Sequence, residues 1–91
     1  NYELYPNYPN PFNPFTTIRY VIPEKTNVRI TISDLIGRQI RELVNYVHYP
    51  GMNTIQWDAK NDKGDPVSSS LYLYTIEAED FVDTKKMILL K

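Results

Sequence analysis

The stretch NVRITISD, residues 27–34, alternates between apolar and polar side chains. Val28, Ile30 and Ile32 occupy every second position, and the residues between them are polar. Because successive side chains of a β-strand point to opposite faces, this pattern predicts a strand with one buried and one solvated face. Such a strand needs a second layer to cover its apolar face, so the stretch favours a layered β-sheet domain.

The same two-residue period recurs along the chain. In TTIRYVI, residues 16–22, the side chains of Ile18, Tyr20 and Ile22 share one face. Further strand candidates are RQIRELV at 38–44, NTIQWD at 53–58, SLYLYTIEAE at 70–79 and VDTKKMILLK at 82–91. The last two are predicted to be the longest strands. The apolar spacing in RQIRELV would equally suit a helical turn.

Strand spacing and turn residues indicate the fold class. Six strands at intervals of about 8–12 residues predict an all-β, antiparallel sandwich of the immunoglobulin or fibronectin type III kind. The N-terminal segment is expected to add a strand, which gives about seven. Gly37 is expected to supply the positive φ of a tight hairpin turn. No segment is long enough to hold the crossover helix that parallel strands require.

Four prolines set the N-terminal segment apart from the rest of the chain. Proline lacks an amide hydrogen and fixes φ, so the stretch from Tyr5 to Pro14 is excluded from the interior of a sheet or a helix. We therefore divide the chain into a proline-rich leader, residues 1–15, and a β-sandwich, residues 16–91. The leader is expected to dock on the sandwich or to link it to something else.

Polyproline II is the conformation expected for the leader. Its three residues per turn would place Asn7, Asn10 and Asn13 on one face, where their side chains bond nearby backbone groups. Phe12 and Phe15 are expected to plug the open end of the sandwich. A docked leader is favoured over a ligand for a proline-recognising partner, because interleaved aromatic residues usually anchor a segment to its own core.

Composition and charge exclude several classes of function. Ten basic and eleven acidic side chains provide no net basic face for a general nucleic-acid binder. The chain has no cysteine, which excludes disulfides and thiolate metal sites. No window of about 18 residues is apolar throughout, so no membrane span is predicted. The chain begins without a signal peptide or an initiator methionine, and we expect it to be a fragment of a longer protein.

Catalytic chemistry has little support in the sequence. His48 is the single histidine, and we expect it on the surface near a turn rather than in a triad. No G-x-S-x-G elbow surrounds the serines at 68–70. Glu77 and Glu79 share one face of a predicted strand, where a solvated role is favoured over acid–base work. We predict a protein without enzymatic activity, catalytic residues or a cofactor.

Two binding functions stand as less favoured alternatives. Oxygen ligands surround a glycine turn in DAKNDKGD, residues 58–65, where calcium binding competes with ordinary turn formation as the explanation. The calcium ligands would be Asp58, Asn61, Asp62 and Asp65. Tyr46 and Tyr49 offer flat rings for contact with a glycan, and packing at strand ends is the alternative. Trp57 falls in the predicted core, away from either site.

Several motifs, taken in order, resemble those of a known family. NYPNPFNPFTTIRYVIPE at 7–24 is followed by DLIGRQIRELV at 34–44, PGMNTIQWDAKNDKGDPVSSSLYLYTIEAED at 50–80 and TKKMILLK at 84–91. This arrangement resembles the C-terminal sorting domain, type A, of type IX secretion cargo. It also resembles the related immunoglobulin-like domain of flagellar hook-capping proteins. The resemblance runs from about Tyr5 to Lys91.

The resemblance implies a non-catalytic sorting or anchoring module of a larger secreted protein. Its implied partners are outer-membrane secretion and sorting proteins of Bacteroidetes-type bacteria, and a larger cargo domain would precede it. The implied location is secreted or at the outer-membrane cell surface. The alternatives are a glycan-binding or spacer module of an extracellular enzyme and a self-assembly domain like that of the hook cap.

The C-terminal segment carries the candidate recognition residues. As a strand it places Met87 and Leu89 on one face and Ile88 and Leu90 on the other. As a signal it is the piece that the export machinery would hold, by strand addition to an exposed edge. Its lysines would discourage unwanted edge pairing. The predicted partner-recognition residues are Lys85, Lys86, Met87, Ile88, Leu89, Leu90 and Lys91.

Overall fold

The computed structural model describes residues 1–91 and contains seven β-strands and no helix. The strands are β1 (Glu3–Leu4), β2 (Thr16–Ile22), β3 (Thr26–Ser33), β4 (Gln39–His48), β5 (Gly51–Trp57), β6 (Ser70–Ala78) and β7 (Phe81–Leu89). They form two sheets with the strand orders β1-β2-β5 and β4-β3-β6-β7. Every strand pair is antiparallel. The predicted all-β sandwich of about seven strands is confirmed.

The core lies between the two sheets and draws on alternate positions of their strands. Val28, Ile30 and Ile32 are fully buried, as the period of β3 predicts. Trp57 at the end of β5 is also fully buried, which confirms its expected place in the core. Burial of a large apolar side chain contributes about 1.5–3 kcal/mol. These positions therefore dominate the stability of the sandwich.

Strand β4 explains the ambiguity of RQIRELV. It is a strand of ten residues, one longer than β6 and β7, so the expectation that the last two strands are the longest is wrong. Its register against β3 shifts twice, and each shift leaves one apolar residue, Leu43 or Ile40, without a partner. Such bulges break the two-residue period. The apolar spacing therefore imitates a helical turn although the backbone is extended.

The leader crosses from one sheet to the other. Its first residues form β1, which pairs with β2, and Tyr8 bridges to Thr17 further along the same strand. Phe12 then makes a parallel bridge to Leu89 of β7, in the other sheet. The leader thus runs along one lateral side of the sandwich and contacts both layers.

The leader is not a regular polyproline II helix. Three of its prolines follow cis peptide bonds, and its asparagines do not share a face. Asn7 is buried, whereas Asn10 and Asn13 are exposed. The expected side-chain bond to nearby backbone forms at Asn7, whose Nδ2 donates to the carbonyl of Pro9 at 3.3 Å, whereas Asn10 accepts from the distant N–H of Ile88. The conformation follows the path between the two sheets rather than a three-residue repeat.

The two phenylalanines of the leader differ in burial. Phe12 is 2% exposed, and its ring centroid lies 5.8 Å from that of Trp57. Phe15 is 49% exposed, so the expected plugging role is confirmed for Phe12 and wrong for Phe15. The reason is strand alternation: the neighbouring Thr16 points inward at the start of β2, and Phe15 consequently points outward.

The hairpin between β3 and β4 is held by one aspartate. Gly37 has φ +90°, as the predicted tight turn requires, and its N–H donates to the carbonyl of Asp34 at 3.1 Å. The Asp34 carboxylate accepts hydrogen bonds from the N–H groups of Ile36 and Arg38. Desolvation raises the pKa of Asp34, but hydrogen bonds from Arg38 outweigh it and leave that pKa below its usual value. The tip of this hairpin is consequently well defined.

Candidate partner-recognition site

Strand β7 presents two different faces. Met87 and Leu89 are fully buried in the core, while Ile88 and Leu90 are exposed. The predicted division of these four residues between the faces is confirmed. The outward face of the terminal segment therefore offers apolar side chains to a partner without any loss of core packing.

The lysines of the segment occupy three distinct positions. Lys85 lies on the inward face at the margin of the sheet and is half-buried, whereas Lys86 is exposed on the outward face. The N–H of Lys91 donates to Oγ of Ser69 at 2.9 Å, which ties the end of the chain to the loop before β6. A lysine on the inward face of an edge strand discourages pairing with another strand.

The leader already occupies the edge of the terminal segment at residues 88–90, where the sequence predicts strand addition by a partner. The N–H of Phe12 donates to the carbonyl of Ile88 at 3.0 Å, and the N–H of Leu90 donates to the carbonyl of Phe12 at 3.1 Å. The side chain of Asn10 accepts from the N–H of Ile88 at 2.9 Å. The sequence did not single out Asn10 for this role. The edge beside residues 88–90 is therefore paired with the leader, and a strand could add there only by displacing it.

The loop between β5 and β6 caps the edge of β4. One carboxylate oxygen of Asp62 accepts from the N–H of Glu42 at 2.9 Å, and the other accepts from Nε2 of Gln39 at 3.0 Å. The N–H of Asp62 donates to the carbonyl of Ile40 at 2.9 Å. The hydrogen bond from Glu42 is the largest influence that lowers the pKa of Asp62 below its usual value. The carboxylate thus replaces part of a missing neighbouring strand.

Asn61 and Asp58 of the predicted calcium loop use their side-chain oxygens in turns or ion pairs, whereas Asp65 takes part through its main-chain carbonyl. Oδ1 of Asn61 accepts from the N–H groups of Lys63 and Asp65. Oδ1 of Asp58 accepts from Arg41 at 3.2 Å. The main-chain carbonyl of Asp65 accepts from the N–H of Asn61 at 2.9 Å. The bonds that Oδ1 of Asn61 and Oδ1 of Asp58 accept from backbone N–H groups are those of ordinary turn formation.

His48 is buried, and the expectation of a surface histidine is wrong. Its side chain is at the end of β4 on the inward face, where the residue is 4% exposed. Nε2 lies 2.7 Å from the hydroxyl of Tyr20, and Nδ1 lies 3.0 Å from the carbonyl of Tyr46. Burial raises the pKa of Tyr20 to about 12. Together these contacts join β2 of one sheet to β4 of the other.

The two tyrosines considered for glycan contact are both exposed, Tyr46 near the end of β4 and Tyr49 in the connection to β5. The ring of Tyr46 stacks on His48 at a centroid distance of 4.5 Å, and the ammonium of Lys25 lies 5.3 Å from the ring of Tyr49. Neither ring lines a cleft together with acidic side chains. The stacking of Tyr46 on a buried histidine fits packing at a strand end.

The side chains considered for acid–base or metal chemistry are not gathered into one site. The carboxylates of Glu77 and Glu79 accept from Arg29 at 2.8 Å and from Thr26 at 3.0 Å, which fits the predicted solvated face. No cluster of three or more histidine, aspartate or glutamate side chains is arranged to hold a metal ion. The structure contains no helix that could cross a membrane.

The fold is an all-β sandwich whose terminal segment exposes an outward face. The chain matches the model of the secretion system C-terminal sorting domain over residues 6–90. Because this match covers nearly the whole chain, the chain belongs to that family. Sorting domains of this family are non-catalytic. The predicted role as a sorting module of a larger protein is confirmed.

Two solved structures share the fold. Dimeric latent PorU from Porphyromonas gingivalis superimposes with a TM-score of 0.76 at 24% identity, over 98% of this chain and 9% of PorU. PorZ from the same organism, a surface component of its type IX secretion system, superimposes with a TM-score of 0.65 at 19% identity, over 97% of this chain and 11% of PorZ. The chain thus spans about a tenth of each protein. No curated protein sequence matches it.

Proposed function

We propose that this domain is the signal by which a type IX secretion machinery recognises and sorts the protein that carries it. The family match over residues 6–90 carries this proposal, and the shared fold of PorZ supports it. The direct partners are outer-membrane secretion and sorting proteins, a larger cargo domain precedes the module, and the protein is secreted or displayed at the cell surface. Any catalytic activity of the whole protein belongs to that cargo.

We further propose a finer classification and a division of labour within the chain. The domain is of type A and is related to the immunoglobulin-like domain of flagellar hook-capping proteins, as its sequence motifs suggest. Residues 1–15 act as a docked leader that connects the cargo to the sandwich of residues 16–91. The buried ring of Phe12 supports this docked arrangement.

The proposed recognition segment is Lys85–Lys91. Two of its side chains, Met87 and Leu89, are needed in the core, and the leader occupies the strand edge beside residues 88–90. What remains available is the outward face, with the ammonium of Lys86 and the apolar side chains of Ile88 and Leu90. A partner that binds this segment would therefore contact one basic side chain and two apolar side chains.

A reporter fusion tests the proposal. Residues 1–91 are fused to the C-terminus of a fluorescent protein in a bacterium that has a type IX system, and surface display is measured. Changing Lys86, Ile88 and Leu90 together to serine should lower display about tenfold or more, because central apolar contacts dominate recognition. The melting temperature should change little, because all three side chains are exposed.

The matched control changes Val82→Ser and Thr84→Ala on the same outward face of β7, nearer its start. Display should stay at the level of the unchanged fusion. Deleting residues 87–91 should also abolish display, but it removes two core side chains and therefore reports on folding as well. Normal display of the triple serine variant would exclude the outward face as the recognition surface.

A further inference from the structure

One sheet edge of the sandwich is left bare, and the backbone hydrogen bonds of β2 identify it. Thr17 bonds to Tyr8 through both its N–H and its carbonyl, and the carbonyl of Arg19 accepts from Tyr5. The backbone groups of odd-numbered β2 residues therefore point towards the leader. Because these groups alternate along a strand, the even-numbered residues of β2 point towards β5.

The register between β2 and β5 shows which backbone groups of β5 point away from β2. Tyr20 of β2 pairs with Asn53, and Ile18 pairs with Ile55. These odd-numbered β5 residues use their backbone groups to bind β2, so the groups of Met52, Thr54 and Gln56 point away from the sheet. No loop or side chain donates to them or accepts from them. Three N–H groups and three carbonyls thus form an unpaired ladder.

The other edges are protected in ways that β5 lacks. The leader pairs with the end of β7, Asp62 caps the start of β4, and β1 has only two residues. Strand β7 also carries Lys86, and β4 carries two register shifts. Strand β5, GMNTIQW, has no charged residue, no proline and no register shift. Unprotected edges of this kind are templates for pairing with another strand.

Exposed apolar side chains lie beside the same edge. Tyr46 is 59% exposed near the end of β4, Tyr49 is 67% exposed in the connection, and Met52 is 53% exposed at the start of β5. Such residues are enriched in interfaces because they bury a large area. These three side chains lie in or beside the connection that leads into the bare edge of β5.

We propose that β5 pairs antiparallel with β5 of a second copy of this chain, about a twofold axis at Thr54. A twofold axis places Met52 opposite Gln56 of the other copy and Thr54 opposite its counterpart. All three edge residues then exchange both backbone hydrogen bonds, which satisfies the whole ladder. The two three-stranded sheets become one sheet of six strands.

The charge pattern favours a second copy as the occupant of this edge. A twofold interface brings each surface patch against itself, so any concentration of one charge is repeated across the axis. Strand β5 carries no charge and meets no such repulsion. If β7 paired with β7 of a second copy instead, the charge of Lys86 would be repeated across the axis. A charged partner strand, by contrast, would gain no ion pair from β5.

The association is testable by sedimentation velocity on residues 1–91. One strand pair with an apolar margin is a small interface, so we expect a dimer that forms at roughly 10–500 µM and dissociates on dilution. Thr54→Val keeps the backbone groups and should leave the dimer intact. Thr54→Pro removes the central N–H donor and should leave only monomer, with the folded state checked by far-ultraviolet circular dichroism.

A charge swap tests the register and does not depend on the proline variant. Met52→Lys with Gln56→Lys sets lysine against lysine twice across the axis, while Met52→Lys with Gln56→Glu sets lysine against glutamate twice. Like and opposite charges on directly facing residues change pairing energies, so the second variant should dimerise at least about tenfold more tightly than the first. Monomer at every concentration, or equal association of the two variants, would overturn the proposal.

Discussion

The two lateral sides of the sandwich differ in what closes them. On the side of β1 and β7, a continuous segment crosses from sheet to sheet, bonds to the backbone of Ile88 and Leu90, and inserts the ring of Phe12 into the core. On the side of β4 and β5, one carboxylate from Asp62 caps the start of β4, and β5 is bare. A crossing segment can pair strand edges and also bury apolar surface, whereas a side chain caps only the groups it reaches.

This difference separates two roles of the surface. The leader side combines buried apolar area with satisfied backbone groups, so changes there should lower the free energy of unfolding. The β5 side exposes apolar side chains and unpaired backbone groups, so changes there should mainly alter association. Stability measurements on matched residues of the two sides test this division of roles.

Phe12→Ala should cause the greatest loss of stability. Truncating a fully buried phenylalanine removes transfer free energy and leaves a cavity, which together cost about 3–5 kcal/mol. The ring of Phe12 packs against Trp57, so the cavity opens in the core itself. Urea unfolding monitored by Trp57 fluorescence measures the loss.

Phe15→Ala is the matched control within the same leader. About half of this side chain is already exposed, so we expect a loss below about 1 kcal/mol. Similar losses for the two variants would mean that the leader is held by its general apolar character rather than by the insertion of one ring.

A smaller effect compares one buried tyrosine from each side. Burial raises the pKa of both Tyr74 and Tyr20 to about 12. The hydroxyl of Tyr74 accepts from the N–H of Asn7 and donates to the carbonyl of Tyr5, both at 2.9 Å. Tyr74→Phe therefore removes the partner of two leader backbone groups and should cost about 2–3 kcal/mol.

Tyr20→Phe removes a single contact, the hydroxyl that lies 2.7 Å from Nε2 of His48. Leaving one buried ring nitrogen without a partner should cost about 1–2 kcal/mol. Chemical unfolding of both variants under the same conditions gives the comparison. A larger loss for Tyr20→Phe than for Tyr74→Phe would reverse the proposed ranking of the two sides.

The sequence predicts the strands well because their period is local. Val28, Ile30 and Ile32 identify β3 from neighbouring positions alone, and Met87 and Leu89 identify the buried face of β7. The prediction fails where pairing across strands decides the outcome. The register shifts that leave Ile40 and Leu43 unpaired in β4 depend on β3, and nothing within RQIRELV records them.

The two faces of the terminal segment are predicted from the sequence, but its contacts are not. The terminal segment is recognisable, yet the pairing of its edge with Asn10 joins residues 78 positions apart in the sequence. The burial of His48 likewise depends on Tyr20, which lies 28 positions away. The one signal in the leader is the placement of Asn10 between two prolines, which themselves have no N–H to pair with a strand. Such long-range partners become visible only once the topology is known.

Replacing Asp62, the cap on the open side, should have little influence on stability. Its pKa is lowered in the folded state, so it contributes stability above its unfolded pKa of about 3.9 and loses that contribution as the pH falls through the folded value. Asp62→Asn should therefore cost up to about 1 kcal/mol at pH 7, because the carboxylate is exposed and screened by solvent. The difference from the unchanged protein should shrink as the pH falls through the folded pKa of Asp62, because the side chain at position 62 is then uncharged in both proteins. Urea unfolding at several pH values measures this, with the exposed Asp65→Asn as the control. A pH-independent difference would show that the cap acts through its shape rather than its charge, and would leave the β4 edge protected mainly by its register shifts.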